Sequence, residues 1–119
     1  SVVEVVSVQN EYSPYVLDDE RNGVFAACLE RGLAYLPYSP LGGPDRAKDV
    51  GTQGAFTEVG RRHGCSPQRV VLAWLLARSP NMIPIPGARR IASIGDSAAA
   101  AELRLDDAEL AELNRAVAL

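Results

Sequence analysis

Residues 66–97 read SPQRVVLAWLLARSPNMIPIPGARRIASIGDS, and the order of elements in this stretch decides the fold class. Ser66 is placed to cap a helix whose first position is Pro67, where the fixed φ suits a helix start and the missing N–H costs nothing. Val70, Val71, Leu72, Trp74, Leu75 and Leu76 make this helix apolar over most of its girth, so it belongs in a core. Pro80 stops it. MIPIPG (82–87) follows as a short apolar run of strand length, and a helix is expected over 91–101. Helix, strand and helix in so short a span argue for parallel strands joined by crossover helices.

The same alternation extends towards the N-terminus. VVEVVSVQ (2–9) is β-branched and almost continuously apolar, which predicts a strand covered on both faces. A polar turn over 12–19, containing Pro14, leads to an expected helix over 20–31 with Val24, Phe25, Cys28 and Leu29 at helical spacing and Gly32 as its stop. LAYLPYSPL (33–41) predicts a second strand, with Pro37 near its end, where one lost ladder bond is tolerable. Residues 42–54 read as a Gly-rich loop containing Lys48, the sole lysine. Residues 56–63 form an expected helix ended by Gly64. Beyond the quoted stretch, Asp106 and Glu109 have capping-box spacing before a helix that turns Leu110 and Leu113 inward.

Composition narrows the function. The 119 residues form one domain at most, 47% hydrophobic and 23% charged, as in an ordinary globular chain rather than a disordered one. A net charge of -3 and the lack of a basic run give no electrostatic footprint for nucleic acid. No apolar run approaches the ~20 residues that cross a bilayer. The start at Ser1 carries no signal-peptide pattern and suggests an upstream part outside this sequence. Cys28 and Cys65 lack metal-type spacing and read as reduced thiols, which points to the cytoplasm.

Chemistry gathers at the strand ends. The first strand ends in Gln9, Asn10 and Glu11, the second in Tyr38, Ser39 and Pro40, and the third in Pro86, Gly87, Ala88 and Arg89. In parallel α/β folds these ends open on one face, where ligands bind. Gly87 followed by a helix start and Arg89–Arg90 suits an anion; an ordinary tight turn with two solvated arginines is the competing reading. Tyr38 offers a flat face to a planar ring, or serves as a core tyrosine. Gln9 can hold a carboxamide, or act as a generic turn residue. His63, the sole histidine, suits the end of its helix as a cation, and no cysteine or histidine cluster points to a metal.

These strand ends resemble those of the aldo-keto reductases. VQNEYSP, LPYSPLG and IPGARR are similar to the sixth, seventh and eighth strands of that family with their following turns, and SPQRVVLAWLL and LRLDDAELAEL to its late helices. The resemblance covers nearly the whole chain. It implies an α/β fold made of the C-terminal three strand–helix units of a (β/α)8 barrel, incomplete as an isolated chain. It also implies a parent that reduces an aldehyde or ketone with NADPH. Gln9 then binds the nicotinamide carboxamide and Tyr38 stacks on that ring. Ser39 and Leu41 contact the pyrophosphate region, while Gly87, Ala88 and Arg89 grip the adenosine 2′-phosphate. Asp96 lies near the adenine. Ser93 and Ser97 stand where the family carries a longer Gln or Arg and an Asn, which shortens contacts to the adenosine end and bears on the choice between NADP and NAD.

The family's catalytic Asp, Tyr, Lys and His come from earlier units, so no catalytic residue is expected in this chain, and Lys48 is not the catalytic lysine. Two classes of function follow: a piece of an NADP-dependent oxidoreductase, or a non-catalytic nucleotide-binding module of the same shape, with an inactive truncated gene product as a third outcome. Unpaired strand edges further lead to an expectation of self-association or of pairing with the missing N-terminal half.

Overall fold

The computed structural model describes residues 2–44, 46–47 and 54–117. In chain order these form β1 (Ser7–Glu11), α1 (Asp18–Arg21), α2 (Val24–Arg31), β2 (Ala34–Tyr38), α3 (Gly54–His63), α4 (Pro67–Arg78), α5 (Ile91–Ala99), a 3₁₀ turn (Ala100–Glu102) and α6 (Asp107–Ala116). β1 and β2 are parallel, in register from Ser7 beside Ala34 to Glu11 beside Tyr38. The expected alternation is present, with three departures.

The first concerns MIPIPG (82–87), which runs extended beside β2 but makes only one parallel bridge, between Tyr35 and Met82. Tyr35 N–H donates to the Asn81 carbonyl at 2.9 Å, Ile83 N–H to the Tyr35 carbonyl at 2.8 Å and Ile85 N–H to the Pro37 carbonyl at 3.3 Å. The next bond of such a ladder would run from the nitrogen of residue 37 to the Ile83 carbonyl, and proline has no hydrogen to give. Pro37 therefore leaves its pairing with β1 intact and breaks only the side that faces this third segment.

The second is at the N-terminus. The strand starts at Ser7 rather than Val2, and Val2, Val3, Val5 and Val6 are exposed. The expected covering on both faces is absent from the described residues: Ser7, Gln9 and Glu11 face outward while Val8 and Asn10 are half-buried. An alternation of this kind marks a sheet covered by helices on one face only.

The third is the helix expected over 20–31, which is two helices. Asn22 and Gly23 separate them: Gly23 has φ +93°, and the Asn22 carboxamide oxygen accepts the Val24 N–H at 3.0 Å. A local side-chain bond of this type offers the backbone an alternative to continuing the helix.

The core sits between the sheet and the helices, with α4 at its centre. Val70, Val71, Leu72, Ala73, Trp74 and Leu75 are all buried, as the girth of apolar residues predicts. Trp74 stacks on Tyr12 with centroids 6.2 Å apart and meets Phe56 edge-on at 6.0 Å, while Phe25 packs against Tyr35 at 4.6 Å. Such pairs add about 0.5–1.5 kcal/mol each beyond the area they bury. Both local caps form as expected. Ser66 Oγ accepts the Arg69 N–H at 3.0 Å, and the Asp106 side chain and the Glu109 backbone and side chain complete a reciprocal box. Leu113 is fully buried and Leu110 half-buried.

Candidate functional site

The parallel register carries the ends of β1 and β2 to one edge of the molecule. Glu11 lies beside Tyr38 and Gln9 beside Leu36, so Gln9 and Tyr38 are diagonal neighbours on the uncovered face, roughly 8 Å apart by strand geometry. Gln9 is exposed, and Tyr38 is 42% exposed with its ring at the rim. The Tyr12 N–H donates to the Tyr38 carbonyl at 3.4 Å, extending the pairing one residue past the strand. Tyr38 therefore presents its ring to solvent rather than to the core of the described residues.

Immediately after Tyr38 the backbone turns sharply. Ser39 has φ +49°, the one non-glycine residue in the left-handed region among those described. Its carbonyl accepts the Gly42 N–H at 2.8 Å. Gly42 itself, at φ +92°, lies so close to Tyr15 that a Cβ there would come within 2.7 Å of the ring. Arg46 then covers Tyr15 at 5.0 Å, a cation over an aromatic face. Leu41 is half-buried, with its side chain packed against the core. Residue types in the loop gave no sign of the Tyr15–Gly42–Arg46 stack, since it joins turns that follow different strands.

The third ending is open. Gly87, Ala88, Arg89 and Arg90 are exposed, and among the described residues other than its chain neighbours nothing lies within 4 Å of a Cβ built on Gly87. Arg90 precedes α5 with no side-chain cap, so the first N–H groups of that helix have no side chain closing them off. Arg89 and Arg90 have no ion-pair partner among the described residues. Ser93, Asp96 and Ser97 are half-buried on one face of α5. Asp96 is already engaged, however: its Oδ2 accepts from Ser66 Oγ, and its Oδ1 lies 2.7 Å from Arg69 Nη2. Arg69 therefore belongs to this corner.

The tyrosine hydroxyls inside the fold are committed elsewhere. Tyr12 donates to Glu20, which also pairs with Arg78, and burial pushes the Tyr12 hydroxyl up to about 12. Tyr35 donates to Asp19 at 2.7 Å, and burial, then that hydrogen bond, drives its pKa well above the usual range. His63 pairs with Glu109 across α3 and α6 at 2.8 Å rather than simply ending its helix. Lys48 lies outside the described residues. Among the described residues, no group of three or more His, Cys, Asp or Glu is arranged to hold a metal ion, and no helix is long and apolar enough to cross a membrane.

Comparison with known proteins fits this arrangement. The profile of the "Aldo/keto reductase family" matches residues 1–118. The chain belongs to the aldo/keto reductase family. It is 34% identical to a pyridoxine 4-dehydrogenase of Escherichia coli (strain K12) over 113 residues, which cover 95% of this chain and 37% of that protein. Among solved structures it superposes on a thermostable aldo-keto reductase, Tm1743, determined with the inhibitor epalrestat, at a TM-score of 0.85 and 28% identity, covering 98% of this chain and 41% of that one. An aldo-keto reductase from Klebsiella pneumoniae in complex with NADPH matches at a TM-score of 0.82 and 26% identity, covering 92% and 38%. The chain thus spans about two fifths of the length of these aldo/keto reductases, and its α/β architecture is that of their fold.

Proposed function

We propose that the chain is the nucleotide-holding part, the last three strand–helix units, of an NADPH-dependent aldo/keto reductase that reduces an aldehyde or ketone. One observation carries this reading: a solvent-facing Tyr38 ring, an exposed Gln9 carboxamide and the unpaired Arg89–Arg90 before an uncapped helix all lie at the C-terminal ends of β1, β2 and the extended segment beside them. Strand ends of this kind are where parallel α/β folds bind ligands. Gln9 supplies both a donor and an acceptor for a carboxamide, Tyr38 a face for its ring, and the Ser39 turn approaches the pyrophosphate. Arg89 and the free N–H groups of α5 favour the 2′-phosphate. The cofactor, when bound, supplies the hydride; these residues orient it.

The nicotinamide complex of the Klebsiella protein supports the choice of cofactor. Titration of the chain with NADPH, followed through Trp74 and nicotinamide fluorescence, should give saturable micromolar binding. Absence of binding would remove the proposal.

A second reading, a nucleotide-binding module without catalysis, is favoured by one observation. The hydroxyls of Tyr12 and Tyr35 are tied to the carboxylates of Glu20 and Asp19 with their proton affinities raised, and neither could act as a general acid towards a ligand at the rim. The two readings separate on whether joining the chain to the remaining part of a family barrel yields NADPH-dependent carbonyl reduction.

A further inference from the structure

Arg69 and Asp96 meet where α4 crosses α5. Arg69 Nε donates to Asp96 Oδ1 at 3.0 Å, and Nη2 lies 2.7 Å from the same oxygen. Ser66 Oγ, which caps α4, donates to Asp96 Oδ2. Both carboxylate oxygens are therefore occupied. The side chains are 32% and 28% exposed, so the pair lies in the surface between the helices rather than in the core.

Its position matters for any anion at the start of α5. Asp96 is six residues beyond Arg90, about 9 Å along a helix axis at 1.5 Å per residue. That is comparable with the Debye length of roughly 8 Å at physiological salt, so a bare carboxylate there would still be felt at the helix start. It would oppose a phosphate and cancel part of the field of Arg89 and Arg90. The short side chain of Ser93, on the same face as Asp96, can bring no compensating cation from α5 itself.

We propose that Arg69 is a specificity-determining residue, which offsets the charge of Asp96 and so preserves the preference of the Gly87–Arg90 turn for a nucleotide bearing a 2′-phosphate. This rests on the nucleotide-binding reading above. The pair acts through the field at the turn, and the test isolates that field from a purely structural tie between the helices.

The 119-residue chain is titrated with adenosine 2′,5′-bisphosphate and with adenosine 5′-monophosphate, which differ only in the 2′-phosphate, and the ratio of the two dissociation constants is read. Arg69→Gln should lower the preference for the bisphosphate roughly three- to fivefold, the size expected for losing one exposed ion pair. Arg69→Lys should keep it. Arg69→Gln with Asp96→Asn should recover it, because the opposing charge is gone. Should Arg69→Gln fail to fold, Asp96→Asn alone gives the same readout with the opposite sign, a raised preference. A merely structural role predicts that both nucleotides weaken together at a constant ratio, and that result overturns the proposal. A preference that stays low in the double variant does so too. If neither nucleotide binds the unaltered chain, the nucleotide-binding reading itself fails; binding with an unchanged ratio removes only the role of Arg69.

Discussion

The Tyr35 hydroxyl donates to Asp19 Oδ2 at 2.7 Å and ties β2 to the helix that follows β1. The same carboxylate accepts from the side chains of Asn10 at 2.7 Å and Asn22 at 3.0 Å. Asn10 is the neighbour of Gln9 on β1, so the buried Asp19 fixes the backbone that carries the candidate carboxamide contact. A buried carboxylate with three donors is strongly held as an ion, and removing the acceptor leaves those donors unmatched.

Asp19 predicts an acid-sensitive fold. Burial alone would raise its pKa, but the hydrogen bonds from Asn10, Tyr35 and Asn22 outweigh it and hold the carboxyl below its ordinary value. A depressed folded-state pKa contributes stability above the unfolded value of about 3.9, and that contribution is lost as pH falls through the folded value. Asp19→Asn should cost about 1–3 kcal/mol at neutral pH, the penalty for unsatisfied buried donors. It should also flatten the loss of stability below about pH 4. Urea denaturation as a function of pH measures both, and a variant as acid-sensitive as the parent contradicts the assignment.

Gly42 predicts a coupling between two turns. A Cβ at φ +92° is strained, and it would also press on the Tyr15 ring at 2.7 Å. Gly42→Ala should destabilise the chain by about 1–3 kcal/mol and weaken NADPH binding by shifting the Ser39 turn. Adding Tyr15→Ala should return part of the stability by removing the clash with the ring, leaving the 2.7 Å approach to Arg46 Cβ and the backbone share. Additive losses in thermal denaturation would show that the ring and the turn are independent.

These relationships differ in how far they could be read from the chain. The caps at Ser66 and Asp106 were legible because the partners are three residues apart and the geometry is local. The apolar girth of α4 was legible for a similar reason, since burial follows from composition around one helix. Arg69 and Asp96 were not, because 27 residues separate them and no local pattern pairs a guanidinium with a later helix. The third strand was misjudged through Pro37: its position in β2 is plain in the sequence, but which side of the strand loses the bond depends on register. Gln9 and Tyr38 were legible as polar and aromatic residues near strand ends, and their diagonal placement needed the pairing of Glu11 with Tyr38.

Arg89 predicts the selectivity of the proposed nucleotide site. It is exposed and has no charged partner among the described residues, so its removal should leave stability almost unchanged. Charge-assisted hydrogen bonds contribute about 1.5–3 kcal/mol, so Arg89→Ala should weaken NADPH binding by roughly ten- to a hundredfold. NADH, which lacks the 2′-phosphate, should change by less than threefold at that site. The NADPH effect should shrink as salt is raised, because the site is exposed. Fluorescence titrations at two ionic strengths provide the measurement, and equal losses for the two cofactors would rule out a 2′-phosphate contact at Arg89.

The uncovered sheet face predicts association. Tyr38, Ile83 and Ile85 are 42%, 52% and 38% exposed, and they stand on one face with Gln9 and Glu11 of β1. The backbone edges are unequal. Beyond β2, the third segment has Pro84 and Pro86 alternating with the two residues that donate to β2, so its outer edge has no donors at those positions. β1 has no proline to block its open edge. Pairing through an edge should therefore begin at β1, while apolar contact spreads over the face. Sedimentation of the 119-residue chain should show concentration-dependent association. Ile83→Lys with Ile85→Lys should reduce it without a large loss of stability, because neither side chain is in the core. Gln9→Pro should reduce it further by taking a donor from the free edge of β1. A chain that remains monomeric at high concentration, or variants that associate as strongly as the parent, would show that neither the face nor the edge drives contact.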